Sequence, residues 1–305
     1  MLFSNPIASH VKLDFHHFHY ASELDLNQVI IQLPDEKYSS DELVQLINSS
    51  AIRPIGYRMP LSMALGSKPT EAEWKKWFAC ISPTFNDNHR FIILHGQQVA
   101  LGSIFEYLDD HASDFNALHD FKTHYVENMI TQLSQLQQLA KQYELTLLIE
   151  NAAIGGMTYF EPGQAFIHPA LRTPRHLIQI AEATGVKICF DTAHARITSH
   201  VLTYMHRSRS MFAGATEKEI LNSTKNWIDF YHQIEDHIGL IQLSYAVSFG
   251  DTPTTTHIPF PQERYSEIID FAECVNPTIP IALHSGTHPQ NLKQQLDMIH
   301  FLKKS

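Results

Sequence analysis

Cysteine is scarce in this chain. Cys80, Cys189 and Cys274 are the only three among 305 residues, and no Cys-x-x-Cys spacing occurs. An odd, scattered set argues against a disulfide framework and against a cysteine zinc knuckle. Cys189 lies inside an apolar run and reads as a small core residue, so a reducing, cytoplasmic location is expected. No run of 18 apolar residues exists, so neither a transmembrane helix nor a membrane partner is expected. The opening Met1-Leu2-Phe3-Ser4-Asn5-Pro6 has no basic stretch ahead of an apolar one, and no signal peptide is expected. Basic charge is short as well. Lys and Arg number 22 against 32 Asp and Glu, a net charge of −10, without the basic surplus of a typical nucleic-acid binder. No Gly-rich phosphate loop follows an early strand, so nothing supports an open dinucleotide-binding sheet or an organic cofactor.

What the chain does have is a series of short apolar runs closed by polar residues. Leu145 to Ile149 ends in Glu150-Asn151, and Val186 to Phe190 ends in Asp191-Thr192-Ala193-His194. Val29 to Leu33, Ile52 to Tyr57, Phe91 to Leu94, Ile238 to Ile241 and Ile279 to Leu283 read as further buried parallel strands, with Asn5 to His10 as the opening one. Amphipathic stripes lie between them, over Ser40 to Asn48, Tyr125 to Tyr143, Arg175 to Thr184, Lys218 to Ile234 and Pro289 to Lys303. The alternation runs to the end without a linker or repeat. It predicts one domain, residues 1–305, folded as a (β/α)₈ TIM barrel, with a doubly wound sheet as the alternative. Acids and histidines at successive strand ends would then share the C-terminal mouth and form a carboxylate-rich metal site. Of the 20 histidines, the tract His16-His17-Phe18-His19 reads as a polar segment by the first helix rather than a metal tract.

The segments Ile149-Glu150-Asn151-Ala152-Ala153-Ile154-Gly155-Gly156 and Cys189-Phe190-Asp191-Thr192-Ala193-His194-Ala195 resemble two signature segments of the endonuclease IV family (AP endonuclease family 2), within the xylose-isomerase-like TIM-barrel superfamily. Weaker likenesses are Arg58-Met59-Pro60, Leu94-His95-Gly96, Thr255-Thr256-His257 and Leu283-His284-Ser285. The resemblance implies a cluster of zinc ions at the barrel mouth. His95, Glu150, Asp191, His194 and His257 keep the family's residue types. Arg58 and Gln242 stand where it has histidines, Thr255 where it has an aspartate, and His284 where it has a glutamate. A full three-ion cluster is therefore not expected. The expectation is one divalent ion, zinc or manganese, drawn from Glu150, Asp191, His284, Gln242, His95, His194 and His257, with Asp251 as a substitute carboxylate beside His194 and His257. Glu150 and His284 are the expected catalytic pair.

Substrate contacts are expected from Arg58, Asn151, Arg207 and Arg209, the last two in a segment, Val201 to Thr224, that reads as a lid or a solvated loop. Lys37, and Leu61-Ser62 in place of an aromatic–apolar wedge, are poor substitutes for the family's DNA-opening residues. The resemblance makes phosphodiester hydrolysis of the endonuclease IV type the expected function, with duplex DNA a doubtful substrate; the alternatives are isomerase or epimerase chemistry on a small sugar, or a non-catalytic ligand- or partner-binding relic.

Overall fold

The structure is a computed structural model, and it describes residues 1–36, 38–67, 69–86, 88–154, 166–208, 214–250, 252, 254–286 and 288–302. Lys37, Gly155, Gly156, Arg209, Asp251 and Lys303, named above, lie outside the described residues.

Eight parallel strands close into a barrel: β1 (Ile7–Lys12), β2 (Gln28–Gln32), β3 (Arg53–Arg58), β4 (Phe91–Leu94), β5 (Thr146–Glu150), β6 (Lys187–Asp191), β7 (Ile238–Leu243) and β8 (Ile281–His284). Each pairs with its neighbours in sequence, and β8 returns to β1 with Ile7 opposite Ile281 and His10 opposite His284. Closure rules out the doubly wound alternative.

Helices occupy the connections, and the local sequence says where they begin. Ser39 and Thr70 open α2 (Ser40–Asn48) and α3 (Glu71–Ile81) with capping boxes completed by Glu42 and Glu73. Pro174 begins α6 (Pro174–Thr184), and Gly185 ends it in a left-handed turn at φ 73°. The tract His16–His19 falls in α1 (Phe15–Glu23), where Asp14 accepts a hydrogen bond from His17 N as the N-cap. The long stripe belongs to α5 (Ala117–Gln142). The stripe read over Lys218 to Ile234 is two helices, Glu217–Leu221 and Trp227–Ile234. The side chain of Asn226 accepts from Ile228 N and Asp229 N, which starts the second afresh. The segment from Val201 begins as helix rather than as a loop. It continues the helix Thr192–Ser208, where Val201, Leu202 and Met205 are buried with Ile104, Ile154 and Ile197.

Strand alternation positions the site. One layer of the barrel interior is Ala8, Ile30, Ile55, Phe91, Ile93, Leu148, Cys189, Leu240 and Ala282, with a register shift between β2 and β3 at Ile55. Gly56 completes it on β3, where a Cβ would stand 2.8 Å from Ile30 Cδ1 and 2.9 Å from Phe91 Cβ. Successive side chains alternate faces, so residues two positions on point the same way, one step nearer the mouth. Those residues are His10, Gln32, Arg58, His95, Glu150, Asp191, Gln242 and His284. An apolar plug is thus capped by a ring of eight polar side chains.

Candidate metal centre

Three of the expected ligands converge. Asp191 ends β6 and His194 lies in the first turn of the helix that follows, so a three-residue spacing brings both to one corner. His194 N donates to Asp191 Oδ1 at 2.9 Å. His257 arrives from the two-stranded ribbon beyond β7, where Thr256–Ile258 pairs with Tyr245–Ala246. Its backbone is left-handed at φ 54°, a conformation that costs a non-glycine residue of order 1 kcal/mol and is held here by its surroundings. One donor atom from each of Asp191, His194 and His257 lies within 4.8 Å of the other two.

Their outer contacts suit a cation. His194 Nδ1 is 2.8 Å from the Asn151 carbonyl oxygen, which favours the proton on Nδ1 and leaves the Nε2 lone pair available. His257 Nδ1 lies 3.0 Å from Ser244 Oγ and 3.7 Å from Asp191 Oδ2. Asp191 is fully buried, yet its Oδ2 has no hydrogen-bond partner, a costly arrangement for a carboxylate without a cation. Two imidazoles and one carboxylate are a donor set for zinc or another divalent transition ion. The residues therefore fit one such ion, and the carboxylate joining the two histidines is Asp191 itself.

Glu150 is placed differently. It is buried at the end of β5, and Arg58 grips it with a two-pronged ion pair, Nε to Oε2 at 2.8 Å and Nη2 to Oε1 at 3.0 Å. Arg58 Nη1 also donates to Gln32 Oε1 at 2.7 Å. Burial alone would raise the Glu150 pKa, but Arg58 and the nearby histidines outweigh it and hold the carboxyl far below its usual range. His95 Nδ1 stands 3.5 Å from Glu150 Oε2, and His194 Nδ1 stands 3.4 Å from Oε1. Gln242 Nε2 donates to Cys189 Sγ at 3.1 Å and reaches Glu150 Oε2 at 3.5 Å.

His284 faces imidazoles rather than acids. Its ring stacks on His10 at 4.0 Å and packs against His257 at 3.9 Å. Burial, with the neighbouring positive groups, keeps His10 and His284 neutral well below the ordinary histidine range. Asn151 spends its amide on the Asp191 backbone, donating to Asp191 O at 3.0 Å and accepting from Asp191 N at 2.6 Å. Arg207 is exposed near the far end of its helix, about 22 Å along the axis from Thr192 at 1.5 Å per residue. Thr255 immediately precedes the ribbon strand that carries His257.

A cavity of about 480 Å³ opens beside this centre, lined by residues that include Gln32, Arg58, His95, Gln98, Glu150 and His168. A larger one, about 710 Å³, lies outside the barrel against α3 and α5 and contains no cluster of titratable groups. His10, Gln32 and His168 were not among the expected site residues. His10 and Gln32 sit two positions beyond the interior residues Ala8 and Ile30, the same step that separates Glu150 from Leu148. No comparable signal marks His168, which follows the short ribbon strand Phe166–Ile167.

No protein-family model and no curated protein matches the chain. Solved structures resemble it across nearly its whole length. A 3-keto-D-glucoside 4-epimerase from E. coli is 10% identical, with a TM-score of 0.56 over 98% of this chain and 100% of the other. An AP endonuclease of family 2 from Brucella melitensis is 11% identical, with a TM-score of 0.55 over 96% and 98%. The IOLI protein, solved with a zinc atom bound, is 10% identical, with a TM-score of 0.53 over 96% and 98%. The fold is the xylose-isomerase-like TIM barrel, and epimerases and an endonuclease share it.

Proposed function

We propose that this chain is a one-ion enzyme acting on a small, uncharged, sugar-like molecule, in the manner of an isomerase or epimerase. The observation that carries this reading is the convergence of Asp191, His194 and His257 within 4.8 Å, with a buried Asp191 oxygen lacking a partner. The ion, zinc or manganese, would supply Lewis acidity toward a carbonyl or hydroxyl oxygen.

The rest of the site favours a small polar ligand. The cavity volume of about 480 Å³ lies within the usual range of ligand sites, roughly 300–1,000 Å³. Its amides and imidazoles, Gln32, Gln98, His95 and His168, suit hydroxyl groups. The cation among its described residues, Arg58, is already matched by Glu150. Burial, then the Arg58 charge, lowers the His95 pKa to about 3, so this imidazole is neutral at neutral pH and accepts a hydrogen bond. His95 Nε2 has no partner within the protein, and we assign it as the acceptor that holds and orients a substrate hydroxyl. Glu150 is a poor base, because Arg58 occupies both of its oxygens.

Phosphodiester cleavage is less well supported. A two-ion clamp places its ions about 3.5–4 Å apart. Among the described residues, Asp191, His194 and His257 form the one group of three or more acid, histidine or cysteine ligands. Leu61, 66% exposed at the cavity rim, offers no aromatic wedge.

The test is solvent exchange. Purified protein loaded with zinc or manganese is incubated in D2O with a panel of ketoses and aldoses, and deuterium incorporation is followed by NMR. Exchange should appear with at least one sugar. It should be lost in Asp191→Ala together with the bound ion, and should fall about tenfold in His95→Ala, the cost of one lost substrate hydrogen bond. Nicking of abasic duplex DNA with no exchange on any sugar would refute the reading.

A further inference from the structure

Glu150 offers a second place at the mouth where a divalent ion would be expected, yet a protein cation fills it. Its carboxylate is buried. His95 Nδ1 approaches one of its oxygens at 3.5 Å. A carboxylate beside an imidazole offers two ligands of the kind zinc and manganese take. The guanidinium of Arg58 meets both Glu150 oxygens, at 2.8 and 3.0 Å, and is tied to Gln32 at 2.7 Å on its other side. Arginine keeps its charge at any accessible pH and has no lone pair to offer a metal. An ion and this guanidinium cannot share the Glu150 oxygens.

We propose that Arg58 is a built-in cation standing in for a second metal ion, so that the barrel mouth is limited to the single ion of Asp191, His194 and His257. The strand register makes the replacement durable. Arg58 is opposite Gln32 on β2 and Ile93 on β4, and Glu150 is opposite Cys189 on β6. Arg58 ends β3 and Glu150 ends β5, held on either side of β4 in the closed ring, so their separation is fixed by the strands. The multi-zinc cluster that the sequence resemblance implies does not fit this chain at Glu150, and Arg58 is the physical reason. This inference uses the one-ion reading of the Asp191 site, but it concerns a different pair of residues.

The test counts ions per chain in the intact protein by elemental analysis after zinc loading and desalting. Manganese-loaded samples are read in parallel by electron paramagnetic resonance. Wild type should hold one equivalent. Arg58→His removes the guanidinium and adds an imidazole beside His95 and Glu150, and should gain one equivalent and show spin coupling between two manganese ions. Arg58→Lys keeps a cation and should stay at one. The double variant Arg58→Met with Glu150→Met removes the second position without leaving a charge unpaired, and should also stay at one. Two ions in wild type, or loss of the ion in the double variant, would overturn the proposal without relying on how the single variants fold. A folded Arg58→His that gains nothing would overturn it too. Zero ions in wild type with one in Arg58→His would sink the Asp191 reading and leave this one standing.

Discussion

The Arg58–Glu150 pair makes a quantitative claim about stability. In Glu150→Met, Arg58 keeps Gln32 as a partner but loses its counter-ion, with its side chain only 21% exposed. Breaking a buried pair from one side costs about 3–5 kcal/mol, and the partial exposure of Arg58 argues for the lower end, about 3. Unfolding entropy near 2.1 cal/mol/K per residue gives about 0.6 kcal/mol/K for a chain of this length. Tm should therefore fall by about 5 °C. Arg58→Met should cost at least as much in the absence of metal, because the Glu150 side chain is 1% exposed and retains only weaker partners. Replacing both by methionine removes two charges together, and apolar substitution of an entire buried pair is often close to neutral. The double variant should lie within about 1 kcal/mol of wild type, a coupling of several kcal/mol.

Scanning calorimetry at pH 7 with a chelator present measures all four proteins. Single variants that lose less than about 1 kcal/mol, or a double variant that loses the sum of the two, would refute the pairing. The carboxyl pKa is lowered in the fold. The pair's contribution is thus fully present above the ordinary glutamate value and is lost only as the solution becomes more acidic than that.

Two further outcomes follow from other parts of the fold. Gly250 has φ 63°, and a Cβ there would lie 2.4 Å from Ile197 Cδ1 and 2.6 Å from Thr256 Oγ1; Gly250→Ala should lower stability by about 2 kcal/mol or more and, by shifting the ribbon that carries His257, weaken ion binding in a zinc titration, and an unchanged titration would separate the ribbon from the site. Burial lowers the pKa of His95 to about 3 and of His176 to about 4; both are below the unfolded value near 6.5, so their stability is intact above pH 6.5 and drains as pH falls from there toward 4, by up to about 1.4 kcal/mol per pH unit for each. Thermal scans of His176→Gln should show a shallower decline over that window than wild type, and equal slopes would contradict the burial argument.

The barrel was legible because its signal is local. Apolar runs of four to six residues, each closed by polar ones, mark strand ends directly, and the eight observed strands coincide with the eight runs to within a residue or two. Helix breaks were harder to see. The apolar stripe over Lys218 to Ile234 continues across a break that depends on the Asn226 side chain accepting two backbone N–H groups, and periodicity carries no trace of that capping. The helix from Thr192 was missed, and its apolar face is buried against residues distant in sequence, such as Ile104 and Ile220.

For the site, the sequence named the residues but not their partners. Asp191, His194 and His257 could be listed from strand ends and loops, while the carboxylate joining the two histidines was sought at Asp251. Only the geometry brings Asp191 Oδ2 to 3.7 Å from His257 Nδ1. Arg58 was legible as a charge at odds with a metal, but its partner was not, because both Glu150 and Asp191 end strands of the same ring. The two-residue alternation narrows that ambiguity. Once Leu148 and Gly56 are assigned to one interior layer, Glu150 and Arg58 must both point inward at the next. In a ring only eight strands wide, above a dry plug, Arg58 has stronger reason to pair with an acid than with water, and of Glu150 and Asp191 it meets Glu150. The same alternation places His10 and His284 opposite each other at the β1–β8 seam, so their stacking follows from register as well. Side-chain alternation along a closed barrel thus predicts who can meet at the mouth, and charge then decides who does.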